Sequence, residues 1–165
     1  MSLFKPSQKA QPPVNPADIL TQNDILLYAS KPHNYIESIK DNGFHLSNSY
    51  LITSPDAHGH VIGLCLIGSE TFEVDVSGMY HVTGHVVEFD SRVLEIFAKV
   101  HPKPEIVVVG LGRESRMLSS RNRDWFSEVG ISLEVSDSTN SGQIFDLLST
   151  ERPGVIGALL LPPNV

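Results

Sequence analysis

The stretch Pro104 to Gly112, PEIVVVGLG, constrains the fold more than any other, because Ile106 to Val109 present no polar face. A strand of this kind needs apolar cover on both sides, as in a parallel or mixed sheet held between other layers. The pattern returns twice. A helix-like segment leads to Ile131–Asp137 (ISLEVSD) and a second leads to Val155–Pro162 (VIGALLLP), so residues 104–162 read as βαβαβ. The expected fold class is α/β, layered, with a mixed central sheet, a C-terminal βαβαβ unit and an N-terminal β-rich half.

Length and charge narrow the class. At 165 residues the chain is expected to form one α/β domain over residues 31–165, preceded by a mobile arm over 1–30 that is rich in Pro and Gln. The apolar patch Ile25–Tyr28 in that arm reads as linker, as a stray edge strand, or as a segment that pairs with a partner's sheet edge. A net charge of −7 opposes bulk binding to nucleic acid or anionic lipid, and Trp125 and Phe126 read as core, not as base-stacking platforms. Residues 1–90 carry four Lys/Arg against ten Asp/Glu, and 91–165 carry eight against nine. The longest apolar runs fall far short of the roughly 20 residues a membrane helix needs, so a soluble chain without a transmembrane segment is expected. Pro6, Pro12, Pro13 and Pro16 make residues 1–22 a poor signal or transit peptide. The one cysteine, Cys65, lies within Val61–Ile67 and reads as a small core hydrophobe.

The first half predicts strands at Gly43–Leu46, Tyr50–Thr53, Val61–Ile67, Thr71–Val76 and His85–Phe89, with a turn at Pro55–Gly59 and the hairpins packed beside the later sheet. Asp90 or Ser91 then caps a helix whose apolar face is Val93, Leu94, Ile96, Phe97 and Val100. A second helix runs from Ser119 or Ser120 to Val129, burying Trp125, Phe126 and Val129, with Gly130 as a left-handed cap. The last helix, about Ser141 to Ser149, is expected to bury Ile144, Phe145, Leu147 and Leu148.

Gly110-Leu111-Gly112 invites a dinucleotide reading, in which the glycines admit a pyrophosphate and Asp137 binds a ribose. Ser115 stands where the third glycine of that fingerprint belongs, and the following helix starts late. A structural turn is the plainer reading. Arg113, Arg116, Arg121 and Arg123 concentrate positive charge in an acidic chain. They read either as a solvated face with Glu114, Asp124 and Glu128, or as a dock for an acidic partner or a phosphate. Arg121 and Arg123 would also oppose the dipole of their helix. His58-Gly-His60 and the pair His81/His85 suggest a metal, but strand geometry does not set the latter pair on one side, and loop histidines are the simpler reading. Glu73 and Asp75 share a strand face as solvated carboxylates. Cys65 has no assignable base and no serine sits in a nucleophile elbow, so no catalytic residue, cofactor or metal is assigned.

Taken in order, PEIVVVGLG, Gly130–Val135 leading to Asp137-Ser138-Thr139, a helix with Phe145-Asp146-Leu147-Leu148, and GVIGALLLPP resemble a family of small domains. That family includes archaeal and bacterial single-domain proteins and the mitochondrial complex I assembly factor 3 proteins. The resemblance runs back to Gly43-Phe44 and Phe89-Asp90. It implies a layered α/β domain and a non-catalytic role, in the mitochondrial matrix or at the inner membrane, in assembling NADH:ubiquinone oxidoreductase with a fellow assembly factor and subunits of the complex. Leu111 and Asp146 depart from the family pattern, which more often has a small or hydroxyl residue and an asparagine there. By the rule for open sheets, contact is expected outside the strand C-termini, at Gly110, Gly112, Arg113, Arg116, Asp137 and Asn140. A small-molecule or nucleotide-binding domain, enzymatic or not, using the Gly110 turn and Asp137 is the alternative.

Overall fold

The computed structural model describes residues 35–47 and 49–165, together with the backbone of residues 4–6. The apolar patch Ile25–Tyr28 and most of the expected arm lie outside the described residues. The exception is Phe4–Pro6, which forms an edge strand.

The strands in chain order are β1 (Phe4–Pro6), β2 (Ile36–Lys40), β3 (Gly43–Leu46), β4 (Leu51–Thr53), β5 (Ile62–Ile67), β6 (Glu70–Asp75), β7 (Tyr80–Thr83), β8 (Val86–Phe89), β9 (Ile106–Gly110), β10 (Met117–Leu118), β11 (Ser132–Ser136) and β12 (Ile156–Leu160). The helices are α1 (Ser91–Lys99), α2 (Ser120–Glu128) and α3 (Ser138–Glu151). A six-stranded mixed sheet runs β1-β6-β5-β12-β9-β11, with β12, β9 and β11 parallel and the remaining pairs antiparallel. Two three-stranded sheets, β2-β3-β4 and β10-β8-β7, complete the described architecture. The α/β class with a mixed central sheet and a C-terminal βαβαβ unit is therefore what the chain adopts.

The chain leaves β9 for its outer neighbour β11 and then returns past β9 to β12. Crossovers of one hand taken in opposite directions place their helices on opposite faces of a sheet. The cores show that division. Phe126 of α2 packs with Val107, Val109 and Leu159, together with Val93, Leu94 and Phe97 of α1 and Val87 and Phe89 of β8. Phe145 of α3 packs with Val108, Ala158 and Leu160 on the other face, where Phe44 and Ile52 of the β2-β3-β4 sheet close the layer. Alternate residues of β5 serve the two cores: Cys65 and Ile67 one, Ile62, Leu64 and Leu66 the other. That double burial is why β5, β9 and β12 read as uninterrupted apolar runs.

The hairpin β5-β6 does not lie beside the later sheet, as expected, but extends it: Leu64, Cys65 and Leu66 pair antiparallel with Leu160, Leu159 and Ala158. Four strands went unforeseen, namely β1, β2, β7 and the two-residue β10, which pairs parallel with Val86 and Val87. The helix α1 begins as expected, with the Asp90 carboxylate accepting from Arg92 N–H. Gly130 has φ +78 after α2, the left-handed conformation expected of it.

The helix α3 differs from expectation. It starts at Ser138, not near Ser141, and its buried face is Ser138, Ser141, Gly142, Phe145 and Ser149, while Leu147 is 62% exposed. Small residues face inward because α3 is pressed between two sheets: a Cβ on Gly142 would stand 2.5 Å from Cδ1 of Ile39. A larger side chain at that position would push the layers apart.

Candidate functional site

The C-terminal ends of β9 and β11 bring Gly110, Gly112, Arg113, Arg116, Asp137 and Asn140 into one neighbourhood, as their placement on adjacent parallel strands requires. Its centre is filled. A Cβ on Gly110 would come within 2.9 Å of both Cα and Oγ of Ser138, so glycine is needed for the first residue of α3 to sit against the strand end. Gly112 has φ +97, and a Cβ there would lie 2.5 Å from the Val165 carbonyl oxygen and 2.7 Å from Nη1 of Arg116. The two glycines admit the chain's own backbone.

Every backbone donor of the turn is engaged. Leu111 N–H donates to Ser136 O at 2.9 Å, Gly112 N–H to Ser138 Oγ at 3.0 Å, and Arg113 N–H to Val165 O at 3.0 Å. Ser138 Oγ in turn donates to Leu161 O at 2.5 Å. At the start of α3, Asp137 is the cap: its carboxylate accepts from Asn140 N–H at 3.1 Å and from Asn140 Nδ2 at 2.6 Å. A pyrophosphate would need those same N–H groups free. The geometry therefore does not favour the dinucleotide reading, and Asp137 holds a helix where that reading would have it hold a ribose.

The four arginines have separate surroundings. The Arg116 side chain is 6% exposed; Nη1 donates to Leu111 O at 2.7 Å and Val165 O at 3.1 Å, and Nη2 lies 3.4 Å from Glu114 Oε1. Its Nε is buried without a hydrogen-bond partner. Arg116 thus ties the glycine turn to residues 161–165, while Arg113 is exposed beside it. Arg121 lies on α2 and lowers the pKa of Asp90, after the larger effect of Arg92; together they hold that carboxyl at about 2. Arg123 is exposed.

Elsewhere, Asp56 Oδ1 accepts from the N–H groups of His58 and His60 at 2.9 and 2.8 Å, an arrangement that organises the turn and holds the Asp56 carboxyl below its ordinary range. His60 Nδ1 stands 3.3 Å from Asp75 Oδ2, and the His58 and His60 rings are 6.2 Å apart. Among the described residues no three His, Cys, Asp or Glu side chains converge as metal ligands. Cys65 is fully buried and burial pushes its thiol pKa up, which removes the thiolate a nucleophile needs.

Two polar positions were not anticipated. Asn122 is buried on α2, where Oδ1 accepts from Phe89 N–H at 2.6 Å and Nδ2 donates to Phe89 O at 3.1 Å, so a side chain serves as the strand partner of β8. Asp146 on α3 accepts from Ile36 N–H at 2.8 Å, and burial, opposed by that bond and aided by nearby Glu37, raises its pKa to about 7. The departure from asparagine at this position was the signal in the sequence. For Asn122 there was none.

Comparison with known proteins follows the same lines. Residues 36–160 match the family model described as a protein of unknown function (DUF498/DUF598). The chain is 29% identical over 129 residues to NADH dehydrogenase [ubiquinone] 1 alpha subcomplex assembly factor 3 of Rattus norvegicus, covering 78% of this chain and 60% of that protein. To the Homo sapiens protein of the same name it is 30% identical over 130 residues, covering 78% and 61%. The chain thus spans about 60% of the length of these curated relatives. A crystal structure described as an outer membrane protein from Bartonella henselae aligns with TM-score 0.58 at 20% identity, over 80% of this chain and 97% of that one. A solution structure of a Bordetella pertussis protein, described as a Mth938-like domain, aligns with TM-score 0.53 at 16% identity, over 79% and 87%. These last two likenesses show the fold alone.

Proposed function

The chain belongs to the DUF498/DUF598 family, and from that premise we propose that it is a non-catalytic assembly factor for respiratory complex I, acting through protein–protein contact in mitochondria. The observation that carries the reading is the extended similarity to proteins named as assembly factor 3 of that complex. The filled glycine turn supports it, since a turn whose donors are all engaged serves as a scaffold for a surface.

On this reading the contact surface is the outer end of β9 and β11. Arg113 and Asn140 are its exposed groups, and Asp137 orients Asn140 by capping α3. Gly110, Gly112 and Arg116 support it from beneath. An exposed guanidinium beside an exposed amide suits a carboxylate on the partner. The partners are a fellow assembly factor and subunits of the complex, and the place of action is the matrix or the matrix face of the inner membrane. No described helix is long and apolar enough to cross a membrane. The domain proposed to carry this role is a single one spanning 31–165.

The test is complementation in cells lacking their assembly factor 3, with the chain delivered to mitochondria. The chain should restore complex I on native gels, and the double substitution Arg113→Glu with Asn140→Ala should abolish that rescue while leaving the thermal midpoint unchanged. Rescue by the doubly substituted chain equal to that of the unaltered one would refute this surface. Failure of the unaltered chain to restore any complex I would refute the role.

A further inference from the structure

On the face of the molecule away from α3, a cleft of about 550 Å³ opens between β7-β8 and the helices α1 and α2. Its floor is apolar: Phe89 and Leu94 are buried there and Trp125 is half-buried, its ring set edge-on to Phe126 at 5.0 Å. Its walls are charged. Glu88 comes from β8, Asp90 from the α1 cap, and Asp124 and Glu128 from α2, against Arg121 alone among lysines and arginines.

Asp90 is committed, since it pairs with Arg92 at 3.0 Å and feels Arg121 as well. Glu88, Asp124 and Glu128 make no salt bridge with any described residue. Asp124 and Glu128 stand four apart on one face of α2, where like charges repel. Glu128 is the last residue of the helix, and α2 has no basic residue in its final turn to offset the negative pole. At the other pole the first turn has no acid and carries Arg121. The charges of α2 thus run against its dipole at both ends; the attraction between Arg121 and Asp90 offsets part of that cost at the first turn, whereas Asp124 and Glu128 have no offsetting salt bridge with any described residue. Local violations of this kind gather where a sequence answers to something outside the fold.

We propose that this cleft binds a basic segment of a partner protein, one arginine or lysine side chain entering between Glu88 and the Asp124/Glu128 pair with its stem along Trp125. The occupant follows from complementarity. An aliphatic stem suits an apolar floor, a cation is attracted to an indole ring, and three carboxylates without internal partners supply the countercharge. An acidic peptide or an anionic membrane would meet the same carboxylates and be repelled. The inference does not depend on complex I as the target; it concerns a second face and can be tested on the purified chain.

The test uses Trp125, the chain's one tryptophan, as the reporter. The unaltered protein is titrated at low salt with an acetylated, amidated Gly-Arg-Gly-Arg-Gly peptide, and separately with its glutamate counterpart. The arginine peptide should shift the tryptophan emission saturably, and the glutamate peptide should not. Substituting Asp124→Asn together with Glu128→Gln should weaken arginine-peptide binding by about tenfold or more, and Arg121→Gln should tighten it by about twofold. Both changes fall on exposed positions, and Glu88→Gln provides an independent wall variant expected to weaken binding as well. An emission change with the glutamate peptide, equal binding by the wall variants, or no saturable response to the arginine peptide would each overturn the proposal. So would stronger binding to phosphatidylserine vesicles than to the peptide.

Discussion

The glycine turn after β9 and the cleft beside α2 are opposites. The turn has the motif, yet its three backbone N–H groups, its two glycine voids and the two terminal nitrogens of its buried arginine are spent on the chain itself. The cleft has no motif, but over a floor that includes Trp125 it keeps three carboxylates that make no salt bridge with any described residue. Glycine-rich spacing marks where backbone must approach something closely, and here that something is Ser138 and Val165. Unmatched charge is the better sign of a partner.

If the turn is a packing device, small changes there should damage stability far more than larger changes in the cleft. The largest effect is expected for Gly110→Val, whose Cβ would press on the Ser138 backbone at 2.9 Å. A shift of α3 or of β9 is the only relief, so a loss of about 3 kcal/mol is expected from the urea unfolding midpoint. Asp124→Asn and Glu128→Gln, by contrast, should move stability by less than about 0.5 kcal/mol. Equal losses at the two places would erase the distinction. Ser138→Ala should come next, at about 2 kcal/mol, because Gly112 N–H and Leu161 O would both lose the hydroxyl that joins them.

A half-buried acid sharpens the contrast, because it is neither fully used nor free. The Asp146 carboxylate accepts one hydrogen bond, from Ile36 N–H, and has a pKa of about 7. A carboxyl whose folded pKa lies above its unfolded value of about 3.9 binds its proton more tightly in the folded state. Its penalty is therefore absent below about pH 4, grows as pH rises through the interval to 7, and is complete above that. Asn at this position can still accept from Ile36 N–H but carries no charge to desolvate. Asp146→Asn should accordingly remove the decline in stability between pH 4 and 7 and make the protein more stable at pH 8, by on the order of 1 kcal/mol after solvent screening of a partly exposed group. Chemical denaturation across that range reads it directly, and an unchanged slope would mean that the carboxyl is solvated.

Most of the scaffold was legible where one physical cause dominated. Continuous apolar runs gave β5, β9 and β12, and spaced apolar residues after a capping aspartate gave α1. What escaped depended on neighbours distant in sequence. The two residues of β10 become a strand because Val86 and Val87 are there to pair with them. The start of α3 read as loop because Ser138, Thr139 and Asn140 are polar, and only confinement between two sheets makes small residues the buried ones and leaves Leu147 outside. At the candidate site, the parallel order of β9 and β11 sets Gly110, Arg113, Asp137 and Asn140 at one end of the sheet. It did not show that Arg116 is buried, because that follows from where Val165 passes. Trp125 read as core, and its half-burial at a cleft follows from how α2 is docked by Asn122 on Phe89.

The smallest expected effect bears most closely on why the cleft carries its charges. Arg123 is exposed in the first turn of α2 and does not line the cleft. Arg123→Glu should stabilise the protein by a few tenths of a kcal/mol through the helix dipole and leave arginine-peptide binding nearly unchanged. Glu128→Lys should give a gain of similar size, since it relieves both the repulsion from Asp124 and the mismatch with the negative pole. It should also abolish peptide binding. Sites kept for recognition commonly gain stability when they lose function, so the two substitutions separate the causes: equal stabilisation with binding lost in Glu128→Lys alone would tie the unfavourable charge to the cleft. Stabilisation by Arg123→Glu with none from Glu128→Lys would mean that Glu128 is already satisfied by solvent, and the charge of α2 would then say nothing about a partner.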